Sequence, residues 1–95
     1  MAEQAQWETV SYIFSSDVRT RVLETLCAQK ATPSQVAKRI GQPLSHISRA
    51  LKELQAKQLI LLLTPTRTKA RLYEATASGR EVLEKVRILR GGGKP

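Results

Sequence analysis

GQPLSHISRALKEL, residues 41–54, opens on a glycine and a proline, sets Ile47, Leu51 and Leu54 at helical spacing, and places Ser45, Arg49 and Lys52 between them. With about 100° of turn per residue and Ile47 as zero, Leu44, Leu51 and Leu54 fall within about 60° of it. Lys52, Ser45 and Arg49 fall at roughly 140°, 160° and 200°. The apolar and basic stripes are opposed, and His46 and Ser48 lie at their margins. Such a helix packs by one face and offers hydroxyls and cations on the other. Many surface helices do the same, so its meaning depends on what surrounds it.

Immediately upstream stands Thr32-Pro33-Ser34-Gln35. Threonine accepts from orphan amides, proline fits the first helical position, and glutamine three residues after the cap returns a hydrogen bond, which predicts a capping box. The short helix 33–40 then turns Val36, Ala37 and Ile40 inward, and Gly41 supplies a left-handed C-terminal cap. Pro43 fits the first position of the next helix, 43–57, with Gln42 as an unusual cap. Two helices joined by about three residues with glycine in the turn form a helix-turn-helix.

Working outward, residues 1–6 are polar and expected to fray, after which Trp7, Val10, Ile13 and Phe14 recur at near-helical spacing. Ser15 or Ser16 can cap a second helix, with Asp17 in its first turn and Val18, Val22, Leu23 and Leu26 along one face to about Ala28. Beyond Lys57 the period changes. Leu59 to Thr64 is apolar, Pro65 to Ala70 is polar and basic, and Arg71 to Thr76 alternates, which predicts a β-hairpin. Its loop carries Arg67, Lys69 and Arg71 at alternate positions, so in extended form they share a side. Thr76 can cap a last helix bearing Val82, Leu83, Val86 and Leu89. The tail 91–95, GGGKP, has nothing to pack and is expected to be disordered.

A chain of 95 residues supports one modest core, so residues 1–95 are taken as one domain. No apolar run approaches the roughly 18 residues of a membrane span, and the acidic, polar start does not resemble a secretory signal. A cytoplasmic protein is expected. One cysteine, Cys27, forms no internal disulfide or thiolate cluster, and its apolar neighbours mark it as a core filler. One histidine without a nucleophile and orienting acid makes no hydrolase, and no glycine-rich phosphate loop precedes a helix. Neither enzyme nor cofactor is indicated.

The net charge of +8 is unevenly placed. Residues 25–73 carry nine bases and a single acid, Glu53, while the flanks carry seven of each. All the excess positive charge therefore lies in the middle of the chain, as an electrostatic footprint for nucleic acid would require.

The succession FSSDVRTRVLETL, TPSQVAKRIG, LSHISRALKELQAKQLI, a basic hairpin and RLYEATASGREVLEKV resembles winged helix-turn-helix transcriptional regulators. It is similar to the small ArsR-like and MarR-like regulators common in archaea, over about residues 12–88. The resemblance implies an α+β, mostly helical fold: a helical core, a β-hairpin wing, and flanking N- and C-terminal helices. It also implies double-stranded DNA as partner, with major-groove or phosphate roles for Ser45, His46, Ser48, Arg49 and Lys52. Arg67, Lys69 and Arg71 are implied as wing contacts, and Ser34 and Gln35 as phosphate ligands. Three departures stand out: Gln58 where a glycine usually follows the recognition helix, Ala75 where a leucine is usual, and Pro43 in place of a polar cap.

Regulators of this shape usually bind pseudopalindromes as two-fold dimers. Trp7, Val10, Phe14, Val82, Val86 and Leu89 are expected to form a homodimer interface. Clustered metal ligands and long helices of the kind that frame effector pockets are missing, so no small-molecule effector is evident. The expected function is a DNA-binding transcriptional regulator, associated with the nucleoid when bound. Two alternatives remain open: a winged-helix protein-interaction module of a transcription assembly, and a non-specific, chromatin-like DNA-binding protein.

Overall fold

The computed structural model describes residues 2–64 and 71–91. Five helices and a hairpin follow in the order α1 (Ala2–Phe14), α2 (Asp17–Ala28), α3 (Pro33–Ile40), α4 (Leu44–Ala56), β1 (Ile60–Leu62), β2 (Tyr73–Ala75) and α5 (Ala77–Gly91). This is the winged-helix arrangement. Helix α1 begins at Ala2, five residues ahead of Trp7, in a stretch of alanine, glutamate and glutamine, residue types that favour the helix. Residues 65–70, which contain Arg67 and Lys69, and residues 92–95 lie outside the described residues, while Gly91, expected to begin the disordered tail, is instead the last residue of α5. Among those described, no helix is long and apolar enough to cross a membrane.

Local chemistry fixes most helix ends. Ser16 Oγ accepts from Arg19 N at 3.2 Å and starts α2. Thr32 Oγ1 accepts from Gln35 N at 3.2 Å while Thr32 N donates to Gln35 Oε1 at 2.9 Å, so both halves of the capping box form. Gly41 adopts φ 67° and closes α3 by donating its N–H to Ala37 O at 2.9 Å. Pro43 is the N-cap of α4 rather than its first helical residue, and no side chain caps that end. Its carbonyl instead takes the amides of His46 and Ile47 at 3.0 and 3.2 Å. Gln42, expected as the cap, has its side-chain oxygen 3.4 Å from His46 Nδ1.

The exit of α4 answers the Gln58 departure. Gln58 N donates to Gln55 O at 2.9 Å and Leu59 N to Leu54 O at 3.0 Å, the paired bonds of a Schellman turn. That turn requires a left-handed residue, and Gln58 takes it at φ 61°, the single positive φ outside glycine among the described residues. The turn points the chain into β1, which pairs antiparallel with β2 in the register Ile60↔Ala75, Leu61↔Glu74 and Leu62↔Tyr73. A third short edge joins at Ala31, which exchanges both backbone bonds with Tyr73 at 3.1 and 3.0 Å. Thr76 closes the circuit: its hydroxyl donates to Gln58 O at 2.9 Å and accepts from Gly79 N at 3.0 Å, capping α5. At Gly79 an added Cβ would sit 2.1 Å from Leu59 O, so only glycine allows α5 to approach the strand so closely.

One core joins all the helices. Ile47, Ala50, Leu51 and Leu54 of α4 are buried, as the stripe predicts, against residues such as Leu23, Leu26 and Val36. The single buried polar side chain among the described residues, Thr20, donates to the carbonyls of Ile13 at 3.0 Å and Ser16 at 3.1 Å. Two expectations are corrected here. Leu44, placed with the apolar stripe, lies in the first turn of α4 and is 49% exposed: among the described residues no element covers it. Val10, Val82 and Val86 are at most 2% exposed, because α1 and α5 pack on each other and close the chain's own core with them. They offer nothing to a partner. Trp7, Phe14 and Leu89 stay on the surface, joined by Ile88.

Two substitutions test the α4 exit. Gln58→Gly should stabilise the protein by about 1 kcal/mol by relieving the left-handed strain. Gly79→Ala should cost about 1–3 kcal/mol through overpacking against Leu59 O. Urea unfolding midpoints measure both, and equal midpoints for Gln58→Gly and the parent would contradict the strain argument.

Candidate nucleic-acid interface

Because Ile47, Ala50, Leu51 and Leu54 pull one face of α4 inward, the helix turns Ser45, His46, Ser48, Arg49 and Lys52 outward, all exposed. The structure thus brings together on one surface the five residues that the sequence pattern grouped. Ser34 and Gln35 lie exposed in the first turn of α3. Gln35 commits its carbonyl oxygen to Thr32, so the NH2 half of its amide is what it can offer an acceptor. Arg71 is exposed just ahead of β2. Lys38 and Arg39, which the sequence reading did not single out, stand exposed in the last turn of α3.

Ion pairing leaves this surface cationic. Three salt bridges form among the described residues: Arg19–Glu53, Arg21–Asp17 and Arg90–Glu24. None engages Lys38, Arg39, Arg49, Lys52 or Arg71. Lys57 sits with its ammonium 5.1 Å from the Tyr12 ring centroid. Hydroxyls, a fork-shaped guanidinium and an ammonium group outside any ion pair, all along one helix, match the acceptors of a nucleic-acid backbone and of guanine.

Glu53, the one acid in the basic half of the chain, is answered by a residue from outside it. Arg19 Nε donates to Glu53 Oε1 at 2.8 Å, its Nη1 donates to Tyr12 O at 2.9 Å, and its guanidinium stacks 3.9 Å from the Tyr12 ring centroid. One side chain of α2 thereby ties the end of α1 to the flank of α4. The hydrogen bond from Arg19 holds the Glu53 carboxyl below the usual carboxylate range, and the same bond raises the Arg19 guanidinium further. Around this pair lies an open cleft of about 310 Å³ between the capped start of α2 and α4, lined also by Ser16, Val18, His46, Arg49 and Ala50. His46 and Arg49 therefore occupy the edge of α4 nearest α2. Sequence reading missed Arg19; its one available signal was the lone acid within a basic stretch, and their separation of 34 residues hides the pairing.

Cys27 is half-buried on the far side, its carbonyl accepting from Arg80 Nη1 at 2.8 Å, and burial pushes its thiol pKa up. No group of three His, Cys, Asp or Glu side chains that could hold a metal ion occurs among the described residues.

A family profile described as HVO_A0261 N-terminal domain matches residues 7–91. No curated protein matches the sequence. Among solved structures, the MarR family transcription regulator SP03579 superposes with a TM-score of 0.75 at 23% identity, covering 94% of this chain and 60% of that one. The chain thus spans about three fifths of that protein's length. A MarR mutant from E. coli complexed with operator DNA gives 0.69 at 23% identity, covering 94% of this chain and 68% of that one. The transcriptional regulator BldR from Sulfolobus solfataricus gives 0.70 at 20% identity, covering 95% and 72%. These likenesses establish the winged-helix fold.

The Arg19–Glu53 pair makes a stability prediction with a definite sign. A carboxyl whose pKa is lowered on folding contributes stability that is present above its unfolded value and lost as pH falls through the folded one. Glu53→Gln should therefore cost less than about 1 kcal/mol near neutral pH, since the pair is partly exposed. The difference from the parent should close as pH drops below the ordinary Glu value of 4.5. Urea titrations of both proteins at about pH 7 and pH 3 measure the gap.

Proposed function

The chain belongs to the HVO_A0261 N-terminal domain family, and from that premise and the geometry of α3 and α4 we propose that it is a DNA-binding transcriptional regulator. The observation that carries the reading is the division of α4: a buried apolar stripe opposite an exposed face of hydroxyls and unpaired bases, in the half of the chain that holds all the net charge. The major groove, about 12 Å wide, admits a helix of this kind. Helix α4 inserts there with Ser45, Ser48, Arg49 and Lys52 toward base edges and phosphates, while His46 touches the flanking backbone. Ser34 and Gln35 at the start of α3 donate to phosphates, and Arg67, Lys69 and Arg71 of the wing hold adjacent DNA. A protein of this fold, a mutant MarR from E. coli, has been solved in complex with operator DNA, which supports the reading. The chain works as a non-enzymatic regulator on the nucleoid.

Operator half-sites call for two copies. Trp7 and Phe14 on α1 and Ile88 and Leu89 on α5 are 39–50% exposed, and the two helices are held side by side. Gln6 Nε2 donates to Glu81 Oε1 at 3.0 Å, and Lys85 reaches both Gln6 and the Trp7 ring. This apolar ridge forms the two-fold interface of a homodimer.

Selection of duplexes from a random pool tests the central claim. A pseudopalindrome bound tighter than random DNA by about 1,000-fold or more supports a specific regulator. Equal affinity for all duplexes would make it a coating protein, and weak binding to all at physiological salt would point to a protein-contact module. On the selected duplex, Arg49→Ala should cost about 1–3 kcal/mol if it pairs with a guanine. Lys69→Ala should weaken all sequences alike and reduce the salt slope by about one. The dimer has a separate check. Sedimentation at tens of micromolar should give twice the monomer mass for the parent and the monomer mass for Ile88→Asp, and a monomeric parent refutes the interface.

A further inference from the structure

Leu44 is the one large apolar side chain of α4 that remains exposed, at 49%, whereas Ile47, Leu51 and Leu54 on the same helix are at most 3% exposed. It occupies the first helical position, and exposed Ser45, His46, Ser48 and Arg49 follow it within the next five residues. Leucine contributes nothing to phosphate binding and gains nothing from water. In recognition helices the N-terminal residues are the ones that reach base edges. The floor of the major groove presents one apolar group, the C5 methyl of thymine. Pro43 ahead of it fixes the backbone at φ −59°, so the side chain projects from a stiff start.

We propose that Leu44 is a specificity-determining residue that reads a thymine by contact with its C5 methyl. This rests on the DNA-binding reading above and adds what that reading lacks, a base identity at one position of the site. Serine and arginine contacts discriminate by donors, which cytosine and thymine distinguish through the amino group and carbonyl at C4; Leu44 adds discrimination at C5. Burying one methyl group against a leucine changes affinity by about fourfold per copy bound. That is enough to set a preference and too little to hold the complex.

The test acts on the DNA, so it needs no altered protein to begin. In the selected duplex each thymine of the site is replaced singly by deoxyuridine, which removes only the methyl, and the affinity of the whole chain is measured. One position, or its two symmetry-related copies, should lose about fourfold per methyl. The same position should show no loss with Leu44→Ala and an intermediate or full loss with Leu44→Met, which keeps an apolar tip. Deoxyuridine-insensitive binding at every position, a selected site without thymine, or a methyl effect that persists in Leu44→Ala overturns the assignment while leaving DNA binding intact. Absence of binding to any duplex, even at low salt, overturns the DNA-binding reading and the assignment together.

Discussion

The left-handed turn at Gln58 is the constraint on which the arrangement depends. Helix α4 has to bury Leu54, stop within a turn, and deliver Leu59 and Ile60 to the core from the opposite direction. The paired bonds from Gln58 N and Leu59 N make that reversal, but they leave the carbonyls of Gln58 and Leu59 to be satisfied elsewhere. Thr76 takes both: its hydroxyl donates to Gln58 O and its backbone N–H to Leu59 O, each at 2.9 Å. The residue that caps α5 thus also fixes the exit of α4, and the bare Cα of Gly79 lets α5 settle against the same carbonyl. The relation of α4, hairpin and last helix is set by these few atoms. Glutamine at the turn accepts backbone strain in return for a closed hydrogen-bond network.

Electrostatics on the other flank of α4 follow from one acid. An unpaired carboxylate at Glu53 would stand in the field that Arg49 and Lys52 create and oppose any polyanion approaching it. Arg19 removes that opposition, and its second bond to Tyr12 O and its stacking on the Tyr12 ring hold the guanidinium in place. Because the pair is partly solvated, its worth to folding is small. Its larger effect is on charge distribution: the outward face of α4 keeps its cations while the helix flank is neutral.

Which parts of this were legible in the sequence follows from the range of the interactions. The capping box at Thr32, the left-handed Gly41 and the opposed stripes of α4 depend on residues within a few positions of each other, and all three form as the sequence implies. The Gln58 departure was visible as a missing glycine, and the backbone shows that the left-handed conformation is retained without it. Burial of Val10, Val82 and Val86 was not legible, because apolar spacing marks a face without saying whether the chain itself or a second copy covers it. Leu44 was misplaced for a related reason: the angle that puts it near the core stripe holds, but at this helix start none of the described elements covers it. The Arg19–Glu53 pair and the Ala31–Tyr73 bridge join residues 34 and 42 apart and required the fold.

Apart from Leu61 and Leu63 on the hairpin, the exposed large apolar residues lie on helices and fall into two kinds, and their numbers decide what each can do. Leu44 stands by itself among serines, a histidine and an arginine. At about 0.8 kcal/mol for a methyl-sized contact, a lone leucine cannot hold a protein partner, but it can bias one base against another. Trp7, Phe14, Ile88 and Leu89 share two packed helices and are still 39–50% exposed. Full burial of side chains of this size is worth roughly 1.5–3 kcal/mol each, and about half of that is still available here. Doubled by a two-fold axis, the sum reaches the scale needed to offset the several kcal/mol of freedom lost on association. On the proposed reading the isolated leucine serves selectivity and the apolar residues of α1 and α5 serve assembly.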